Sequence, residues 1–128
     1  MKLALVLPLV AAATLSSAPV LAYDADWKRG RIYYRAICSS CHTTTPNGVI
    51  QPNGRTKGEW MAYLKADKHD KGKEPVAKYF SKEYLSSIKA TNKAADRFFS
   101  VPTDQLLQDV QLFLQRSAKD GEAPASCN

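Results

Sequence analysis

Two cysteines three positions apart and a histidine directly after the second constrain this chain more than any other feature: Cys38-Ser39-Ser40-Cys41-His42. On one helical turn the two thiols stand close enough to hold a single planar group at two points, and His42 follows beneath it. C-x-x-C-H is the attachment pattern of c-type haem. Each thiol adds across one vinyl group, and the imidazole of His42 is then expected as the proximal iron ligand. Rival readings of the cysteine pair are weaker. A zinc site needs a second ligand pair, and only Cys127 and His69 remain, far apart in the sequence. A thioredoxin-like redox pair needs a βαβ setting, which the residue pattern does not offer.

The first residues have a separate character. Met1 and Lys2 make a short positive start, Leu3 to Ala13 is apolar apart from Pro8, and Val20-Leu21-Ala22 supplies the small and apolar residues a signal peptidase reads. Residues 1–22 are therefore expected to be a signal peptide. Cleavage falls after Ala22, because cleavage after Ala18 would leave Pro19 at the new terminus. The apolar run is short of the roughly 20 residues a membrane helix needs, so the protein is not expected to span a membrane. Residues 23–128 form the domain, with a polar tail from about 119. The expected location is periplasmic, and export fits the motif because haem is attached outside the cytoplasm. A composition 45% hydrophobic and 23% charged excludes wholesale disorder. A chain of this size buries only about two thirds of its surface, so something must supplement the core.

The stretch Gly30-Arg31-Ile32-Tyr33-Tyr34-Arg35-Ala36-Ile37-Cys38 resembles the N-terminal helix of class I cytochromes c. In that family a Gly eight residues before the first Cys and an aromatic four before it pack against the last helix; Gly30 and Tyr34 fall at those places. A glycine there lets two helices cross closely. Asp24 or Asp26 can cap this helix. At the other end, Thr103 is a good N-cap, and Leu106, Leu107, Val110, Phe113 and Leu114 recur with helical spacing. Phe113-Leu114 matches the aromatic–Leu pair of the family's last helix. The resemblance implies an all-α, cytochrome c-like helical domain wrapped around one covalent haem. A Pro after the haem His accepts a hydrogen bond from its ring in that family; Pro52 is the candidate here and Pro46 the lesser one.

Between the two ends, Lys57 to Asp67 reads as a helix with Trp60, Tyr63 and Leu64 on one face, residues 69–75 as a polar linker, Ser81 as the cap of a further helix, and Ala94 to Phe99 as a short one. No strand pattern appears. Here the chain departs from the family, which takes its sixth iron ligand from a Met just before the last helix: Pro75 to Thr103 contains none. Once the leader is removed Met61 is the only methionine, which makes it the expected distal ligand, with His69 the alternative. The stretch from Arg55-Thr56-Lys57 through the Cys-ending tail resembles small periplasmic monohaem cytochromes of metal-reducing bacteria, a subgroup that includes a two-lobed form with the haem in the cleft between. Cys127 has no thiol partner within the chain once Cys38 and Cys41 are consumed.

The formal charge is +6, and residues 65–93 hold eight Lys against four acids. Such a face steers acidic partners. No basic cluster interleaved with aromatics appears, so nucleic acid is not expected. The function expected is one-electron carriage by a monomeric, non-enzymatic periplasmic protein cycling iron between Fe(III) and Fe(II), with acidic-surfaced redox partners. The alternatives are a haem-based sensor with an open sixth position and an electron-transfer subunit of a larger enzyme.

Overall fold

Asp26 starts the ordered structure by capping α1 (Trp27–Tyr33): its Oδ1 accepts from the backbone N–H groups of Lys28 at 2.9 Å and Arg29 at 3.2 Å. The computed structural model describes residues 22–42, 48–69 and 72–125; residues 1–21 of the expected signal peptide, Pro46 and Cys127 lie outside them. From α1 the chain runs without a break into a π-helical turn, Tyr34–Cys38, and then α2 (Ser39–His42). A π turn holds one residue more than an α turn, and such turns concentrate at functional sites. Two carbonyls of the turn accept side-chain donors, Ala36 from Asn92 Nδ2 and Ile37 from Ser40 Oγ, both at 2.7 Å.

After a 3₁₀ turn (Pro52–Gly54) comes α3 (Lys57–Ala66). Thr56 and Glu59 form a reciprocal capping box at its start, and Asp67 ends it in the left-handed region at φ 52°. Asp67 Oδ1 then accepts from Ala77 N–H at 2.8 Å, which ties the end of α3 to a second 3₁₀ turn, Val76–Phe80. Ser81 caps α4 (Lys82–Ile88) as the sequence predicts, accepting from Tyr84 N–H at 3.1 Å. The short α5 (Ala95–Phe98) and the long α6 (Thr103–Ser117) complete the fold. Pro102, not Thr103, is the N-cap of α6 and offers no side-chain acceptor; Thr103 already has helical geometry. The fold is all-α, with no strand among the described residues. No helix among them is long and apolar enough to cross a membrane.

The crossing of α1 on α6 organises the core. A Cβ built on Gly30 would lie 2.0 Å from the carbonyl oxygen of Asp109 and 2.9 Å from the nitrogen of Val110, so only glycine fits. Tyr34 reaches Phe113 across the same interface, with ring centroids 5.5 Å apart. Beside the crossing, the fully buried Asp109 collects every donor brought near it. Its Oδ1 accepts from Tyr23 Oη and Asp26 N–H, both at 2.7 Å, and its Oδ2 from Arg29 Nε at 2.5 Å. A buried carboxylate is tolerable only when satisfied in this way. Burial, and then the Asp109 carboxylate, push the Tyr23 phenol above its usual range.

The polar tail is held through Ala125. Lys119 N–H donates to Arg55 O at 2.9 Å, and Asn53 N–H donates to Ala125 O at 3.1 Å, so the tail lies over the loop ahead of α3.

Gly30→Ala is expected to cost about 3 kcal/mol, the upper part of the usual range for overpacking, because the clash is with backbone that cannot swing aside. Urea unfolding followed by far-ultraviolet circular dichroism measures it, and an unchanged midpoint would contradict the close crossing.

Candidate functional site

The three residues of the motif, Cys38, Cys41 and His42, line one wall of a cavity of about 250 Å³. The remaining wall is almost wholly apolar or aromatic: Tyr34 and Ile37 from the first helical run, Trp60, Tyr63 and Leu64 from α3, Tyr79, Phe80 and Tyr84 from the turn and helix beyond it, and Val110 and Leu114 from α6. Arg55 is the one Lys or Arg among the lining residues. Its guanidinium lies over the rings of Tyr63 at 4.7 Å and Trp60 at 5.2 Å, within the range of a cation–π contact.

His69 also lines the cavity, opposite His42. The two imidazole centroids are 5.7 Å apart and their planes differ by 27°. The Nδ1 atoms of both rings are buried. His69 arrives there because Asp67 turns the chain out of α3 and a turn closed by Gly72 N–H to His69 O, at 3.3 Å, follows.

Met61 does not line the cavity. Its Sδ accepts from Gln115 Nε2 of α6 at 3.0 Å. Helical phase explains this. Successive residues are rotated by about 100°, so Trp60, Tyr63 and Leu64, at i, i+3 and i+4, share the cavity face while Met61 turns away from it. Pro52 also departs from expectation: its carbonyl accepts from the indole Nε1 of Trp60 at 2.7 Å. The structure thus brings Cys38, Cys41, His42 and His69 to one cavity and leaves Met61 and Pro52 in packing roles outside it.

Sequence reasoning did not single out Arg55, Gly72, Tyr79 or Tyr84 as lining residues. Tyr84 and Trp60 lie on helix faces whose apolar pattern is visible in sequence. Arg55, Gly72 and Tyr79 sit in irregular or 3₁₀ segments, where no long period fixes the direction of a side chain.

Among the described residues no group of three or more His, Cys, Asp and Glu could hold a bare metal ion. Two imidazoles facing each other across an apolar space can instead hold a metal carried by an organic ligand that fills the rest of the coordination sphere. Comparison with protein families, with curated proteins and with solved structures finds nothing that matches this chain.

The two thiols differ sharply. Burial, with the Cys41 thiol next in effect, pushes Cys38 up to about 12, whereas Cys41 is exposed. Thiolate is the reactive form, and an acid whose pKa is raised stays protonated until the pH approaches the new value. In the unmodified chain at pH 8, iodoacetamide is therefore expected to alkylate Cys41 at least about tenfold faster than Cys38. Peptide mass mapping at timed intervals reads both sites, and equal rates would contradict the burial of Cys38.

Proposed function

We propose that the protein is a one-electron carrier for a single covalent haem c, which Cys38 and Cys41 would tether and whose iron His42 and His69 would hold. The observation that carries the reading is the approach of His69 to His42 across a cavity that also contains both thiols of the C-x-x-C-H motif. A metal–imidazole bond is about 2 Å long, so two nitrogens held by one ion stand at most about 4 Å apart. A centroid separation of 5.7 Å suits that arrangement, since each ring centre lies behind its ligating nitrogen.

When bound, the haem supplies an Fe(III)/Fe(II) couple. The chain's own residues do the rest. Cys38 and Cys41 would tether the group at two points, and the His42 and His69 imidazoles would both hold its iron, so a substrate would have to displace one of them to reach the metal. This favours a carrier over an enzyme or a sensor. Trp60, Tyr63, Tyr79, Phe80 and Leu114 exclude water, and exclusion of solvent is one of the levers that set a haem potential. The guanidinium of Arg55, the cation on that wall, is suited to the carboxylates a haem carries. A leader of the kind residues 1–22 resemble would deliver the chain to the periplasm, where haem attachment takes place.

The absorption spectrum of the protein, produced with haem-attachment machinery, tests this. A low-spin nitrogen-ligated spectrum is expected, without the weak far-red band of a sulfur–iron(III) bond. His69→Ala is expected to become high-spin and to bind carbon monoxide when reduced, while Met61→Leu keeps the wild-type spectrum. A sulfur band lost in Met61→Leu would restore Met61 as ligand. A high-spin wild-type protein would favour a sensor.

Partners are expected to be acidic-surfaced redox proteins. Lys68, Lys73 and Lys78 are exposed and adjoin the cavity residues His69, Gly72 and Tyr79 in the chain. Between ionic strengths of 0.01 M and 1 M the screening length falls from about 30 Å to about 3 Å. Electron exchange with an acidic redox protein should therefore slow at least about tenfold over that range. Stopped-flow rates that do not change with salt would remove the steering role.

A further inference from the structure

We infer that Gly72 and Tyr79 act together as positioning residues that fix the orientation of the His69 imidazole toward His42, an inference that rests on the haem reading above. Gly72 N–H donates to His69 O at 3.3 Å, which brings the two residues together. A Cβ at Gly72 would lie 2.3 Å from His69 Nδ1 and 2.5 Å from the Tyr79 hydroxyl oxygen, so the imidazole and the phenol converge on the one α-carbon that carries no side chain. The Tyr79 ring also packs against His69, with centroids 4.9 Å apart and planes tilted by 39°.

Tyr79 can serve as the fixed member because the core holds it. Its carbonyl accepts from the hydroxyl of the fully buried Tyr33 at 2.6 Å, and its ring meets Tyr84 edge-on at 5.0 Å. Tyr33 in turn is set between Phe80 and Phe98. Tyr79 therefore links the His69 ring to α1 through Tyr33. Groups behind a metal-binding imidazole set its ring orientation and its hold on the metal. An alanine at position 72 would strike Nδ1 and Cγ of the His69 ring and the Tyr79 hydroxyl, side-chain atoms and not backbone, so the fold can survive while the imidazole is displaced.

The test uses the full chain produced with haem-attachment machinery, as wild type and as His69→Ala, Gly72→Ala, Tyr79→Leu, Tyr79→Phe and Gly58→Ala. Gly58 is an exposed glycine of α3 whose Cβ would meet nothing within 4 Å, so it reports the effect of a Gly→Ala change alone. The readouts are the spin state in the absorption and electron paramagnetic resonance spectra and the rate of carbon monoxide binding to the reduced protein. Gly72→Ala and Tyr79→Leu are expected to gain high-spin character and to bind carbon monoxide about tenfold faster than wild type. Tyr79→Phe, which keeps the ring, should fall closer to wild type than Tyr79→Leu, and Gly58→Ala should match wild type. If Gly72→Ala yields no haem protein, Tyr79→Leu decides. Wild-type spectra and rates in both variants, with His69→Ala high-spin, would overturn the positioning role and leave the axial pair standing. A wild-type protein without covalent haem, or one that stays low-spin in His69→Ala, would overturn the functional reading and this inference with it.

Discussion

The approach of α1 to α6 at Gly30 sets the position of almost everything else. With a hydrogen in place of a side chain, the α1 backbone comes within reach of the Asp109 carbonyl, and no other residue would permit it. The buried Asp109 carboxylate then draws in Tyr23, Asp26 and Arg29, so the residues leading into α1 are held to the same crossing. Because α1 continues through the π turn into α2, this contact also decides where Cys38, Cys41 and His42 stand. The motif is local in sequence, but its position in space is inherited from a helix at the opposite end of the chain.

The segments between the helices have little regular structure to hold them, and aromatic side chains take over that task. Tyr33, Tyr34 and Trp60 each bury a ring and direct one polar atom at a loop carbonyl, those of Tyr79, Ile50 and Pro52 respectively. A buried Tyr or Trp needs a partner for its polar atom, and a loop carbonyl near the core needs a donor, so one bond meets both needs. The cavity wall is built from these pinned loops together with α3 and α6. The tail from Ala118 to Ala125 adds a further layer over the loop ahead of α3. Gly121 allows it to turn back tightly, since a Cβ there would meet the carbonyls of Gln115 and Arg116.

The electrostatics of the cavity follow from the same construction. Aromatic and aliphatic walls raise the cost of any charge placed inside, which is why the Cys38 thiol is held protonated and why burial also raises the phenol of Tyr84. Arg55 is tolerated because two ring faces receive it.

Much of this was legible in the residue pattern. The helical class, a cap for α1 at Asp24 or Asp26, the cap of α4 at Ser81 and the span of α3 all follow from short-range rules: a cap oxygen serves donors two or three residues on, and a helix repeats every 3.6 residues. The close crossing at Gly30 was expected only through the resemblance to class I cytochromes c. Even the exclusion of Met61 from the cavity was implicit in that period, since Trp60, Tyr63 and Leu64 already claimed the inward face. The expected cap at Thr103 was displaced by one residue, because Pro102 takes up the geometry that begins α6. What the sequence could not decide was which side chain would stand opposite His42. His69 lies in an irregular segment whose direction is set by Asp67 in a left-handed conformation and by Tyr79, itself anchored to Tyr33 some 46 residues away in sequence. Sequence by itself determined the motif and the helices that carry it, because those depend on neighbours along the chain. Tertiary structure alone brought His69 to His42, because a residue outside any periodic element takes its orientation from whatever packs against it.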